Sequence, residues 1–215
     1  MSELNVGVLV LTLLVLLFSL TVHEAAHAFT ANRLGDPTAR LLGRLSLNPI
    51  VHIDPVGTVL LPLVALATGA PILGWAKPVP VDLGRLPRGR QDFVLIAAAG
   101  PATNLALALV ASAALNVMLS SASPGSAASG VATPLVELAW IGVELNVLLA
   151  VFNLVPVPPL DGGNVLGGLL PAGLARQYDS LRPYGIFILY GLLLSGTLVT
   201  IIGPPYAFLT RHLLP

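Results

Sequence analysis

Apolar residues along this chain come in long unbroken blocks, not in the alternation of a half-buried strand or the one-sided stripe of a surface helix. The first block runs from Leu4 to Ala31, about 42 Å of helix at ~1.5 Å per residue, enough to cross a bilayer with tilt. A polar stretch follows, NRLGDPTARLLGRLSLNPIVHIDPVG, broken by Gly35, Pro37, Pro49 and Pro55. Thr58 to Leu73 is apolar but short, and Pro62 and Pro71 interrupt it. After the basic, proline-rich GWAKPVPVDLGRLPRGRQD comes a second clear block, Phe93 to Leu119, and then the uncharged loop SSASPGSAASGVATP. A third block, Pro134 to Val155, runs into NLVPVPPLDGG, and a fourth spans Tyr184 to Ile202. The pattern predicts an all-α polytopic membrane protein folded as a single domain over 1–215. Its helices are expected over 4–31, 93–119, 134–162 and 184–202, about four crossings, with a re-entrant and extended segment over 55–90. No internal repeat is visible.

Composition agrees. The chain is 55% hydrophobic and 9% charged over 215 residues, whereas soluble domains carry about 25% charged residues. The lipid bilayer is therefore an obligatory partner, and a formal net charge of zero argues against nucleic acid. With no cysteine, disulfides, thiolate ligands and a cysteine nucleophile are excluded. The first block lacks a basic leader and reaches His23 without a small-residue cleavage site, so it is expected to be retained. Nine arginines against one lysine suggest GC-rich coding and a prokaryotic cell membrane.

Charge placement decides the topology. Arg33, Arg40 and Arg44 precede the 58–73 segment; Lys77, Arg85, Arg88 and Arg90 follow it. Were that segment a crossing, two basic loops would face opposite sides, against the positive-inside tendency. Re-entry puts both loops on the cytoplasmic side with Arg176 and Arg182, and leaves the uncharged 120–133 loop outside. Irregular backbone at membrane depth is tolerated where protein or a watery cavity covers it.

Within the first block, His23-Glu24-Ala25-Ala26-His27 is HExxH on a helix. Its histidines share one face, so both imidazoles reach a single zinc, and Glu24 is placed to take a proton from water. The competing reading is a polar cluster that glues helices together. In lipid, however, each buried charge costs about 2.5–3.5 kcal/mol on insertion scales, which favours a functional reading. A hydrolytic zinc takes three protein ligands and keeps one position for water. The remaining acids near the blocks are Glu137, Glu144 and Asp161. Asp161 follows Pro156, Pro158 and Pro159, which forbid a regular helix; a helix terminator with an Asp-Gly turn is its plainer reading. Under the re-entrant topology the first and third blocks run the same way, and a broken segment brings Asp161 level with the histidines.

HEAAH on a membrane helix, GPATN at 100–104 and NLVPVPPLDG at 153–162 together resemble the site-2 protease family of intramembrane zinc metalloproteases. The likeness extends through GRLSLNPIVHIDPVGT and GWAKPVPV. It implies a three-helix catalytic core with one zinc per chain, held by His23, His27 and Asp161 beside the catalytic acid Glu24. It also matches Asn153 to an asparagine that holds substrate or the developing oxyanion. The implied activity is peptide-bond hydrolysis in or beside transmembrane segments of a membrane-protein substrate, in the compact form without PDZ-like or CBS-like domains, with the site nearer the cytoplasmic face. Two alternatives are a zinc transporter using the same ligands for transit, and a non-catalytic relative that binds membrane proteins. The carboxylate beside His23 weighs against the first, and the intact HExxH and LDG elements weigh against the second.

Three polar residues leave two readings each. Asn104 either bonds a neighbouring helix or supports the metal site. His52 and Asp54 either support or gate the site, or are an interfacial histidine and a helix cap. GWAKPVPV, with prolines leaving alternate amides free, suits an edge strand that pairs with an unwound substrate; a tight loop anchored by Trp75 is the alternative. His212 is expected to be a solvated surface residue.

Overall fold

The computed structural model describes residues 6–68, 74–121 and 129–215, without the side chains of 59, 62, 65, 66, 68 and 129–132. Pro71 and residues 122–128 of the expected 120–133 loop therefore lie outside the described residues. Helix α1 (Val6–Leu34) leads into the short α2 (Thr38–Leu41), and α3 (Leu61–Thr68) continues a wider turn that opens at Pro55. Then come α4 (Arg90–Ser121), α5 (Ser129–Asn153), α6 (Asp161–Leu169), α7 (Ala172–Asp179), α8 (Gly185–Leu194) and α9 (Thr197–Leu213). The described residues contain no strand. Helices α1 and α4, and Thr133–Asn153 of α5, are each long and apolar enough to cross a membrane, so the chain is an all-α polytopic membrane protein.

Helix α4 is the hub, packing against α1, α5 and α6, while α1 also touches α5. Between apolar helices in lipid the hydrophobic effect discriminates little; close approach of small residues does the work. On α1 the buried face carries Ala25, Ala28 and Ala31; on α4 it carries Ala97, Gly100 and Ala108. Ala108, Val143, Val147 and Val151 form an apolar cluster that α9 covers with Ile202, Tyr206 and Leu209.

Three expected elements differ in form. The helix expected over 134–162 ends at Asn153, and Asp161 opens the separate helix α6. Pro156, Pro158 and Pro159 lack the amide hydrogens that would continue it. The glycines of LDGG let α6 press into the intervening turn: a Cβ on Gly162 would lie 2.6 Å from Val155 O, and one on Gly163 2.7 Å from Pro158 N. The helix expected over 184–202 breaks at Ser195-Gly196, where Gly196 has φ +75°, and the arms Ala172–Leu194 and Thr197–Leu213 bend by 78°. A left-handed residue after a helix is inexpensive only for glycine. Apolar residues on both sides of the break hid it.

The edge strand expected at GWAKPVPV is an extended strap without strand pairing. Trp75 N donates to Gly57 O at 3.3 Å and Lys77 N to His52 O at 2.8 Å, while Thr58 Oγ1 donates to Trp75 O at 2.8 Å. Arg44, itself buried, donates from Nη2 to Lys77 O. These bonds hold residue 75 beside residue 57. The far end of the strap is held by Asp36, which has no exposed surface. Its carboxylate accepts from Asp82 N at 2.7 Å, Thr38 N at 3.0 Å and Thr38 Oγ1 at 2.5 Å. Burial opposes ionisation there, but these hydrogen bonds, and more weakly the Arg85 charge, outweigh it and hold the Asp36 carboxyl below the usual range.

Candidate metal centre

The HExxH segment lies in the inner half of α1, with His23 and His27 both buried against α4. On α4 the facing stripe is Ile96, Gly100 and Asn104, each four residues from the next and therefore on one face. Each member does something different. His27 Nδ1 meets Ile96 O at 2.6 Å, and His23 Nδ1 meets Asn104 Oδ1 at 2.5 Å. Gly100, between them, leaves the space the imidazoles occupy: a Cβ there would stand 2.5 Å from His23 Nε2 and closer still to His27 Nε2. Pro101 removes an amide from the ladder next to this gap.

Both Nδ1 atoms face oxygen acceptors, so both must carry the proton, and both Nε2 lone pairs point into the site. There they meet Asp161, the first residue of α6. Its Oδ2 lies 3.1 Å from His23 Nε2 and 3.4 Å from His27 Nε2, and the two Nε2 atoms are 3.1 Å apart. Asp161 Oδ2 is buried with no hydrogen-bond donor. Three atoms able to donate lone pairs thus converge within 3.4 Å of one another, an arrangement suited to a cation. The spacing fits one in particular. Corners of a tetrahedron about 2.0–2.1 Å from its centre stand about 3.3–3.4 Å apart, the figure for zinc with nitrogen and oxygen ligands. Among the described residues, these three alone form a group able to hold a metal ion. Glu137 and Glu144, the two acids on α5, do not join it.

A cavity of about 510 Å³ opens beside the group. Glu24 and Asn153 line it, with Leu149 and Phe152 of α5 on one wall and strap residues Trp75, Ala76, Pro78, Val79 and Val81 on another. Glu24 carries no hydrogen bond from any described residue and is within electrostatic reach of His23, His27 and Asp161. Asn153, the last residue of α5, spends one amide hydrogen on Leu149 O at 2.9 Å.

Five of the eight polar residues singled out from sequence, His23, Glu24, His27, Asn153 and Asp161, thus surround one cavity, and Asn104 sits directly behind His23. His52 and Asp54 do not line it. His52 is buried and donates from Nε2 to Ser46 O at 2.9 Å, fixing the loop that holds the strap. Asp54 caps the turn before α3, accepting from Val56 N at 2.9 Å and Gly57 N at 2.7 Å. His212 bonds within α9, its Nδ1 donating to Phe208 O at 2.7 Å. Two contributors were missed. The carbonyl of Ile96 has no sequence signal. Asn146 has one: it is an amide deep in an apolar helix, the same cue that marks Asn104.

Comparison with known proteins agrees with this arrangement. “Putative zinc metalloprotease YwhC” of Bacillus subtilis is 40% identical over 180 residues, covering 84% of this chain and 77% of the relative. The chain belongs to the site-2 protease family, peptidase family M50. The profile of Peptidase family M50 itself matches residues 116–195, the stretch that holds Asn153 and Asp161. A similarly named M50 relative, Rip2 of Mycolicibacterium smegmatis, is 32% identical over 197 residues, 90% of this chain and 70% of its own. Rip3 of Mycobacterium tuberculosis is 33% identical over 169 residues, 78% of this chain and 32% of its own. No solved structure matches significantly. Membership in this zinc metalloprotease family and the donor set of His23, His27 and Asp161 point to the same metal.

Proposed function

We propose that this protein is a zinc-dependent endopeptidase that cleaves membrane proteins in or next to their transmembrane segments. The observation that carries the reading is the triangle of His23 Nε2, His27 Nε2 and Asp161 Oδ2, with edges of 3.1, 3.1 and 3.4 Å, beside a free carboxylate in a cavity. A zinc ion held there supplies Lewis acidity, activating water and polarising the scissile carbonyl. Glu24 accepts the proton of the attacking water and hands it to the amine that leaves as the C–N bond breaks. Asn153 has an amide hydrogen to spare, and donates it to the oxyanion that develops on the substrate carbonyl.

The substrate must present extended backbone, because a helix keeps its carbonyls engaged. The strap is suited to receive it. The amides of Trp75 and Lys77 are turned away toward Gly57 and His52, and alternate residues of an extended segment face opposite sides. Ala76 therefore offers its backbone to the cavity it lines, and a substrate strand pairs there, main chain to main chain. Arg33 at the end of α1 and Arg88 and Arg90 at the start of α4 favour the cytoplasmic side under the positive-inside rule, which supports a site nearer that face.

The test uses Glu24→Gln in purified protein with a transmembrane reporter substrate. Bound zinc stays at the wild-type level, while cleavage falls by at least about 10²-fold, the usual contribution of a general acid–base. Equal cleavage by the variant would refute the assignment of Glu24. Asp161→Ala lowers zinc retention; unchanged metal content would remove Asp161 from the set.

A further inference from the structure

The two histidines are oriented by acceptors of very different character. His27 faces a backbone carbonyl, which can only accept. His23 faces the side-chain amide of Asn104, which can turn over and present its NH2 group instead. Turned, Asn104 would require His23 Nδ1 to accept, moving the ring proton to Nε2, where it would point into the metal position. Something must hold the amide the right way round.

We infer that Asn146, which contacts neither histidine, is the positioning residue that sets the polarity of Asn104 and through it the tautomer of His23. This rests on the zinc reading above. Polarity propagates outward from a group that cannot turn. Gly142 O must accept, so Asn146 gives it Nδ2, at 2.8 Å. Asn146 then presents Oδ1 to Asn104, which gives Nδ2 to it at 2.9 Å. Asn104 is left presenting Oδ1 to His23 Nδ1 at 2.5 Å. Asn104 is fully buried and Asn146 nearly so, at 0% and 3% exposure, so water does not substitute for either partner. The relay joins α5, α4 and α1, and each link has one permitted direction. A reversed amide anywhere along it sets two donors or two acceptors face to face in a dry interior.

A double-mutant cycle read by zinc affinity tests this, using competition with a chromogenic chelator on the purified full chain. Asn146→Leu keeps the volume but not the polarity, and is expected to weaken zinc by about 10–100-fold, the range typical for partners of metal-bound histidines. Asn146→Asp, as the neutral acid, still donates to Gly142 O and accepts from Asn104, and is expected to stay close to wild type. Asn104→Asp accepts through either oxygen whatever lies behind it, so adding Asn146→Leu to that background costs no further affinity. Wild-type affinity in Asn146→Leu, an equal loss in both backgrounds, or a loss in Asn146→Asp matching that of Asn146→Leu would each overturn the relay. Should Asn146→Leu fail to fold, Asn146→Ala carries the same comparison. Absence of zinc from the wild type would instead overturn the functional reading.

Discussion

Helix α1 contains two halves that look alike in hydropathy and behave differently. From Val6 to Phe18 no residue is buried, and Leu9, Leu13, Leu14 and Phe18 are exposed along the helix. From Ser19 onward the buried set is Ser19, Thr21, His23, Ala25, His27, Ala28 and Ala31. The half with large side chains faces outward, and the half with small and polar ones is packed. In water the order would be reversed. Lipid is as apolar as leucine, so burying leucine gains little there, whereas small residues admit a neighbouring backbone and polar ones need partners. The site sits where those two needs coincide.

Substitutions in the two halves sharpen the contrast. The largest effect is expected at Gly100, the gap opposite the inner half. Gly100→Val drives a side chain into the imidazoles and reduces bound zinc to background, measured by metal analysis of the purified protein. Next is Ala28→Leu on the inner half, at 0% exposure. It overpacks the buried face of α1 and is expected to cost about 1–3 kcal/mol, seen as a lower thermal midpoint together with weaker zinc binding. In the outer half, Leu13→Ala is expected to change the midpoint by an amount corresponding to less than about 0.5 kcal/mol. An equal loss from both positions would remove the distinction between the halves.

Between these in size lies Asp36→Asn, just past the end of the inner half, expected to cost on the order of 1 kcal/mol by weakening a charged hydrogen-bond set. Its pH dependence has a definite sign. The folded Asp36 carboxyl titrates below its ordinary value, about 3.9 in an unfolded chain. Its stabilisation is therefore complete above about pH 4 and disappears as the pH falls through the lower folded value. The gap in thermal midpoint between wild type and Asp36→Asn should narrow on acidification; a gap independent of pH would assign the effect to packing alone.

Much of the site was legible because lipid makes polar residues costly. His23, Glu24 and His27 stood out against an apolar background, and three prolines marked the break before Asp161. The breaks themselves were harder. Gly196 sits among apolar residues that continue a crossing equally well on either side, so nothing local announced the 78° bend. The strap carries proline spacing compatible with a strand, yet only the positions of Gly57 and His52 decide which of its edges is engaged.

The amino-acid order by itself determined the class of the molecule, its apolar blocks, and the identities of the groups fit for zinc and proton transfer. These follow from local spacing and from the cost of placing charge in lipid. Tertiary structure alone decided that Ile96, Gly100 and Asn104 stand behind the two imidazoles, and that Gly142 and Asn146 stand behind Asn104. Those partners lie on helices far apart in sequence, and a hydrogen bond's direction is fixed only when both its ends are in place.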